Sequence, residues 1–351
     1  MKFTFEPEQF AFRDAVRRFL VVEAVPEVLR AFWETQSGRS PEMRAKVTDQ
    51  GLTALSVPEA FGGMGLNDLD WILILQELGY HGIPESLSDS AYLGVDILRN
   101  LPDGVALKKE WLERIAAGKA RIAVGHPVNP FVADAAIADL LLLWHDDEVH
   151  ATTPDAVKLT LQPSLDQSRR LYRVEWQPSA ATRVCDAATG APIWRDACDR
   201  AALSVASQLR GLAKRMLDLG VDYSAQRKQF GRPVGSFQAL KHHLANVAVA
   251  VEFAGPVIHR AAYSMAHGHP QRAAHVSHAR VVAGEAAWLA ARNSMQAHGA
   301  MGYTWETDLQ MFMKHAWALD SAWGTRAFHK SRVTAAVLAD GMALGPGATF
   351  I

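Results

Sequence analysis

The chain has 351 residues, of which 49% are apolar, so it is long enough to bury a large core and to form two or three subdomains. Its 36 Lys and Arg residues nearly balance its 37 Asp and Glu residues, which gives no electrostatic reason to expect nucleic acid or an anionic membrane as a partner. Two cysteines, Cys185 and Cys198, are too few for a disulfide framework and lack metal-site spacing, so a reducing cytoplasm is the expected compartment.

The N-terminal third is expected to be a helical domain over residues 1–119. Its apolar residues recur at helical spacing, and Ser40 followed by Pro41 suits an N-cap and the first helical position. A second helix is expected to begin at Asn67. The first residues alternate apolar and charged types instead of forming the apolar run of a signal peptide, and no stretch approaches the roughly 20 apolar residues of a membrane span.

The pattern changes over residues 120–197, which are expected to form a small antiparallel β-domain. Short runs rich in β-forming residues are separated by Asp, Pro and Gly, as in a sheet with tight connections. The runs that predict strands are ARIAVGHPV, ADLLLLWHD, EVHAT, VKLTLQP and RLYRVEW.

Long amphipathic helices are expected again over residues 198–351, with breaks at Gly231, Gly255, 268–270 and 299–302. The predicted fold class is therefore α+β and mostly α: an N-terminal helical domain, a small antiparallel β-domain and a C-terminal four-helix bundle.

Two stretches of the C-terminal region carry possible binding signals. In DYSAQRKQFGRPVGSFQ, Arg227 and Phe230 precede a glycine break and Gln238 begins the next helix. A guanidinium beside a helix N-terminus can hold a diphosphate, although an ordinary surface arginine is the commoner reason for such spacing. In QAHGAMGY, Gln296 and small residues lie at a helix end, where a planar ligand could approach the backbone, or where a simple C-cap could form.

Taken together, the two stretches resemble the acyl-CoA dehydrogenase family, in which R-x-x-FG and FQ precede Q-x-x-GG-x-GY and a final YEGT-like element. The segment VPEAFGGMGLNDLDWILILQELGY is similar to the N-terminal hallmark of that family. The resemblance implies FAD-dependent α,β-dehydrogenation of acyl-CoA thioesters, with a carboxylate as the base and an electron-transfer flavoprotein or similar acceptor.

In dimers of this family each FAD is shared, and the two motifs of one subunit reach the diphosphate and adenosine of the FAD held by its neighbour. The resemblance assigns that contact to Arg227, Phe230, Gln238, Gln296, Gly299, Ala300 and Gly302. Ala300 stands where the family has its second glycine, and this departure weighs against a close backbone approach there.

Both positions that can hold the family's catalytic Glu are occupied by other residues. The YEGT-like position falls on Trp323 in SAWGT, and the alternative position on the first long C-terminal helix falls on Ala201. Asp199 is two residues from the second position and would face elsewhere on a helix, while Glu306 matches an acidic residue without a catalytic role. No catalytic residue and no metal site are expected in this chain.

The strand motifs that surround the flavin ring in this family, TEP-x-AGSD and K-x-WITN, are not found between Arg121 and Arg195, and GHPVNPFVADAA takes roughly the place of the first. The expected function is therefore a subunit of an α2β2 acyl-CoA dehydrogenase that lends contacts to a partner's FAD, similar to the base-less subunit of the steroid side-chain enzymes. Two alternatives remain: a self-sufficient flavoenzyme with an atypical base, and a flavin-free structural or regulatory binding protein.

Overall fold

The computed structural model describes residues 4–339 and residue 341, and most of them are helical. The N-terminal half contributes six helices, the middle of the chain contributes short strands, and five further helices follow from residue 187 onward. These helices are α1 Pro7–Glu23, α2 Pro26–Glu34, α3 Pro41–Asp49, α4 Asp68–His81, α5 Val95–Arg99, α6 Ala106–Ala116, α7 Ala187–Gln226, α8 Gln238–Ala266, α9 Arg272–His298, α10 Leu309–Leu319 and α11 Arg326–Val337.

The strands form two small sheets and one hairpin. They are β1 Ile122–Gly125, β2 Val132–Ala133, β3 Leu140–His145, β4 Glu148–Thr152, β5 Lys158–Gln162, β6 Leu171–Glu175, β7 Arg183–Cys185, β8 Lys228–Gln229 and β9 Arg232–Pro233. One sheet has the order β1-β3-β4-β7, the second has the order β2-β6-β5, and β8 pairs with β9. The expected sheet region is confirmed, but β1 and β3 are parallel instead of antiparallel, because the chain crosses over between them through β2.

Local sequence signals explain several element boundaries. The Ser40 side chain accepts the backbone N–H of Met43 at 3.2 Å, which caps α3, and Pro41 occupies its first turn. α4 begins at Asp68, directly after the predicted Asn67. One predicted break is wrong, because Gly255 lies inside α8. A Cβ there would be 3.1 Å from the Arg210 guanidinium, so the glycine makes room for the Arg210 side chain.

The chain divides into two compact units whose segments alternate along the sequence. One unit comprises Met1–Arg18, Asp68–Tyr80 and Val205–Ile351, and the other comprises Phe19–Asn67 and His81–Ser204. α7 starts at Ala187 and continues through both units, so it crosses the expected boundary at residue 197. The division into domains 1–119, 120–197 and 198–351 stays a prediction.

Each unit has its own packed interior. In the unit that contains the sheets, Ala123 of β1, Val132 of β2 and Leu141 of β3 are buried together. In the other unit α4 and α7 approach each other backbone to backbone, because a Cβ on Gly79 would lie 2.2 Å from the carbonyl oxygen of Gln208. Over the described residues, no helix is both long and apolar enough to cross a membrane.

Candidate functional site

The first binding motif forms a hairpin directly after α7. The N–H of Arg227 donates to the carbonyl of Tyr223, and the Arg227 carbonyl accepts the N–H of Val234 at 2.8 Å, which closes the hairpin. Phe230 and Gly231 form the turn, with φ values of 54° and 80°. Two successive positive φ values define the type I′ turn that joins two-residue hairpins. Arg227 therefore lies at the base of a short hairpin whose backbone is fixed by hydrogen bonds.

Phe230 stands out because its conformation and its exposure are both unfavourable for a phenylalanine. Its backbone lies in the left-handed region, which costs an L-residue other than Gly roughly 1–2 kcal/mol. Its side chain is 90% exposed, and its ring makes an edge contact with Phe237 at a centroid distance of 6.2 Å. A strained backbone that presents an aromatic ring to solvent is typical of a residue selected to bind a partner or a ligand.

The start of α8 provides donors and positive charge beside this hairpin. Gln238 is the first residue of α8, and the N-cap residue Phe237 supplies no side-chain cap, so the first backbone N–H groups of the helix have no side-chain acceptor from it. Residues 223–251 contain no Asp or Glu, and they contain four cations. Those cations are Arg227, Lys228, Arg232 and Lys241. This end of the helix suits a phosphate ligand.

The second motif forms the end of α9 and the turn that follows. The N–H of Gly299 donates to the carbonyl of Gln296, and Gly299 has φ 61° and ψ −138°, a region that only glycine occupies readily. Gly302 is buried, and a Cβ there would lie 2.8 Å from the carbonyl oxygen of Met295. Ala300 is exposed and its φ is not positive, so the backbone does not require a glycine at that position.

The two motifs lie at the same end of the bundle. The ring of Tyr223, four residues before Arg227, stacks on the ring of His298, which lies between Gln296 and Gly299. The ring centroids are 4.3 Å apart and the planes are inclined by 22°. Six of the seven residues assigned from the sequence are exposed, and Gly302 is the buried one.

Trp323, at the predicted position of the missing base, is buried in a tight turn between α10 and α11. Its side chain is 5% exposed and its φ is 52°. Its carbonyl oxygen accepts the Nε2–H of the buried His329 at 3.0 Å, and the Thr325 side chain caps α11 by accepting the N–H of Phe328. Burial lowers the pKa of His329 from 6.5 to about 4, so the ring is neutral at pH 7.

Both carboxylate oxygens of Asp320, three residues before Trp323, already accept from donors of the same chain. Its carboxylate accepts from Arg280 at 2.7 Å, from the Trp288 indole at 2.7 Å and from Arg326 at 2.9 Å. Arg280 is fully buried, and desolvation lowers its pKa while Asp320 opposes that shift. The carboxylate is therefore a structural anchor for the turn and not a candidate base.

The other two carboxylates that the sequence raised, Asp199 and Glu306, lie in different surroundings. Ala201 and Asp199 are buried in α7, and Ala201 carries no functional group. Glu306 is exposed in the segment after the second motif.

The end of β1 is filled by rings from the same chain. His126, in the GHP that takes the place of the family's TEP, packs against Trp144 and Trp194 at centroid distances of 5.6 and 5.5 Å. Burial lowers the pKa of His126 to about 4, so it is neutral at pH 7. The Trp144 indole donates to Asp147 and the Trp194 indole donates to the Glu148 carbonyl, so both ring donors already have acceptors within the chain.

Sequence reasoning missed Tyr223, His298 and the cluster around His126. The pairs that these rings form join residues far apart in the sequence, so no local pattern reveals them. Trp305, in the segment after the second motif, is 60% exposed and carries the Lys314 ammonium over its ring at 3.5 Å.

Comparisons with known proteins identify the family. Residues 6–119 match the acyl-CoA dehydrogenase N-terminal domain and residues 188–338 match its C-terminal domain. Acyl-CoA dehydrogenase IpdE2 of Mycolicibacterium smegmatis is 34% identical over 311 residues, which cover 88% of this chain and 92% of that protein.

Two solved structures share the fold over almost the whole length. The ChsE4-ChsE5 complex from Mycobacterium tuberculosis gives a TM-score of 0.84 at 21% identity, covering 98% of this chain and 100% of that chain. The Tcur3481-Tcur3483 steroid ACAD G363A variant gives 0.82 at 18% identity, covering 93% and 96%. With two domain matches that together span most of the residues, and a relative similar over nearly its full length, this chain belongs to the acyl-CoA dehydrogenase family.

Proposed function

We propose that this chain is one subunit of a heteromeric, FAD-dependent acyl-CoA dehydrogenase that desaturates an acyl-CoA thioester between its α and β carbons. In this assembly, a second acyl-CoA dehydrogenase-like subunit carries the catalytic Glu and the ring end of the FAD. This chain contributes contacts to the diphosphate and adenosine end. The observation that carries the proposal is Phe230, a solvent-exposed ring on a strained backbone beside a cationic helix start.

The donor groups present fit one half of FAD. A diphosphate needs cations and N–H donors without competing carboxylates, and Arg227 and the start of α8 lie in a stretch without any acid. Gln296 and the exposed turn at Gly299 supply further polar groups at the same end of the bundle. The chemistry that FAD supplies when bound is acceptance of the hydride removed from the substrate.

Within the described part of the chain, the end of β1 offers no matching donor set for the other half of FAD. At the end of β1, where the family has polar donors to the flavin ring, His126 is packed against two indoles and its imidazole is kept neutral by burial. Both indole N–H groups are hydrogen bonded within the chain. This supports a vacated ring site, so one FAD would serve each pair of unlike subunits.

The Trp323 turn supports the same division of roles. Trp323 is a large buried ring where the family can have a carboxylate, and Asp320 beside it is held by three donors. We propose that Trp323 fills the space that an acyl group would enter, which leaves catalysis to the partner.

The relatives suggest the assembly and the substrate class. The ChsE4-ChsE5 structure is a complex of two different chains, and the Tcur3481-Tcur3483 protein is a steroid enzyme. By this likeness we propose an α2β2 heterotetramer in the cytoplasm that acts on a steroid side-chain CoA thioester and passes electrons to an electron-transfer flavoprotein or similar acceptor.

Arg227→Ala in the co-purified complex tests the proposal. Removal of a charged hydrogen-bond partner costs roughly 1–3 kcal/mol, so the FAD dissociation constant of the complex should rise roughly 5- to 150-fold. Arg195→Ala, an exposed arginine earlier on α7, is the matched control and should leave FAD binding unchanged. An Arg227→Ala complex that retains FAD as well as the control would contradict the proposal and favour a flavin-free structural role.

A further inference from the structure

Tyr223 and His298 connect the two motifs that the proposed function assigns to the cofactor. Their rings stack at 4.3 Å with an inclination of 22°, and they belong to different helices, α7 and α9. We infer that this stacked pair is a positioning element. It keeps the Arg227 hairpin and the Gln296 turn in a fixed position relative to each other, so that both can contact a single ligand. The inference rests on the proposed function.

Both residues of the stacked pair are hydrogen bonded next to their motifs, Tyr223 through its backbone and His298 through its ring. The Tyr223 carbonyl accepts the N–H of Arg227 at 2.9 Å. The His298 Nδ1–H donates to the Ser294 carbonyl at 2.8 Å, and the next residue, Gly299, donates its N–H to Gln296. A displacement of either residue therefore disturbs the hydrogen bonding next to its own motif.

The surrounding backbone leaves little room for the two helices to slide. A Cβ on Gly220 of α7 would lie 3.1 Å from the Ser294 hydroxyl oxygen of α9, and Gly220 also accepts the Ser224 hydroxyl at 2.6 Å. A Cβ on Gly235, at the far end of the hairpin, would lie 3.0 Å from the Ser224 carbonyl oxygen. The hairpin, the end of α7 and the end of α9 thus form one packed junction, with the stacked rings in it.

The imidazole of His298 is suited to this role because it is uncharged. It is buried, and desolvation lowers its pKa, so the neutral ring lies against Tyr223 at pH 7 without a charge to solvate. Its Nδ1–H is committed to Ser294, which fixes the ring plane. A fixed plane lets the aromatic contact define an orientation as well as a distance.

The same chain contains a matched control. Tyr263 and His267 also stack, with centroids 3.9 Å apart and an inclination of 22°. That pair lies within one turn at the C-terminal end of α8, where His267 Nδ1 also bonds the Tyr263 carbonyl at 2.8 Å. It connects no two motifs, so its loss should have no effect on the cofactor.

The first test measures FAD retention by the complex of this chain with its partner subunit. Tyr223→Leu removes the stack and should raise the FAD dissociation constant roughly 3- to 10-fold, the value of an aromatic pair, whereas Tyr223→Phe should restore the wild-type value. Tyr263→Leu should leave retention unchanged. Equal retention in Tyr223→Leu and wild type would overturn the inference, and so would equal losses in Tyr223→Leu and Tyr263→Leu.

The second test uses the chain alone and hydrogen exchange of backbone amides. Tyr223→Leu should accelerate exchange in both the 227–234 hairpin and the 299–303 turn, and His298→Leu should accelerate exchange in the same two segments. Acceleration confined to the segment beside each mutated residue would show that the rings do not couple the motifs. Failure of the positioning role can be told apart from failure of the proposed function. If Arg227→Ala weakens FAD binding while Tyr223→Leu does not, only the positioning role is contradicted.

Discussion

Nε2 of His329 lies 3.0 Å from the carbonyl oxygen of Trp323, and this hydrogen bond holds a bulky residue in a left-handed conformation. Because the carbonyl can only accept, Nε2 carries the proton, and Nδ1 is left to accept the Ser277 hydroxyl at 3.1 Å. A protonated ring could still donate to the Ser277 hydroxyl oxygen, but it would carry its charge in a buried site. The Trp323 turn is therefore most stable with a neutral imidazole.

This dependence predicts acid sensitivity. The pKa of His329 is 6.5 in an ordinary setting and about 4 in the folded chain, so the unfolded chain binds the additional proton between these values. The stabilisation is complete above pH 6.5 and is lost as the pH falls toward 4, by about 3 kcal/mol for this group. Urea unfolding across that range measures it.

His329→Gln is the matched variant, because an amide can donate to Trp323 and accept from Ser277 without titrating. We expect this variant to be less stable than wild type at pH 7 and to have a shallower loss of stability between pH 6.5 and 4. Parallel pH profiles for the two proteins would show that His329 does not titrate as described.

Trp323→Ala should strongly destabilise the chain. The indole is buried, and truncation of a buried tryptophan typically costs about 3–5 kcal/mol. Trp305→Ala is the control, because its ring is largely exposed, and it should cost no more than about 1 kcal/mol. Equal urea midpoints for the two variants would contradict a space-filling role for Trp323.

Gly284→Ala should also be destabilising, although alanine is the better helix former by about 1 kcal/mol. A Cβ at Gly284 would lie 2.5 Å from Oδ1 of Asp320 and 3.1 Å from the Arg280 guanidinium, so the buried ion pair would have to move. We expect a loss of about 1–3 kcal/mol in thermal or urea unfolding. Gly104→Ala has open space around the new methyl group and should be close to neutral, so a neutral Gly284→Ala would show that the ion pair adapts.

Phe230→Asn should have opposite effects on stability and on function. Asn-Gly is the preferred pair in a type I′ turn, and the lost ring is almost wholly exposed, so the lone chain should gain up to about 1 kcal/mol. The complex with the partner should nevertheless release FAD more readily than wild type. Unchanged FAD retention would show that the strain at Phe230 serves something other than the cofactor.

Much of the fold follows from local patterns in the sequence. The five runs that predict strands form β1, β3, β4, β5 and β6. The residues that cap α3 and α11, Ser40 and Thr325, are of types that commonly cap helices. Gly255 shows the limit of such reasoning. The sequence alone does not distinguish a glycine that makes room for a neighbouring side chain, here that of Arg210, from a glycine that ends a helix.

The sequence predicted which residues form the two motifs of the candidate site, but not how the motifs come together. The residues of the two motifs could be named, but their meeting depends on the Tyr223–His298 stack between α7 and α9, which is a tertiary contact. The three donors to Asp320 likewise come from α9 and α11, so the chain positions alone could not show that both oxygens of this carboxylate are already hydrogen bonded. The roles of the seven motif residues stay predictions until FAD binding is measured.

The ratio of flavin to polypeptide tests whether two unlike subunits share one FAD. It should be measured for this chain purified alone and for its complex with the acyl-CoA dehydrogenase-like subunit co-expressed from an adjacent gene. We expect a nearly flavin-free lone chain without dehydrogenase activity, and one FAD for each pair of unlike chains in an active complex. A lone chain that carries a full complement of FAD and reduces it with an acyl-CoA would rule out this sharing.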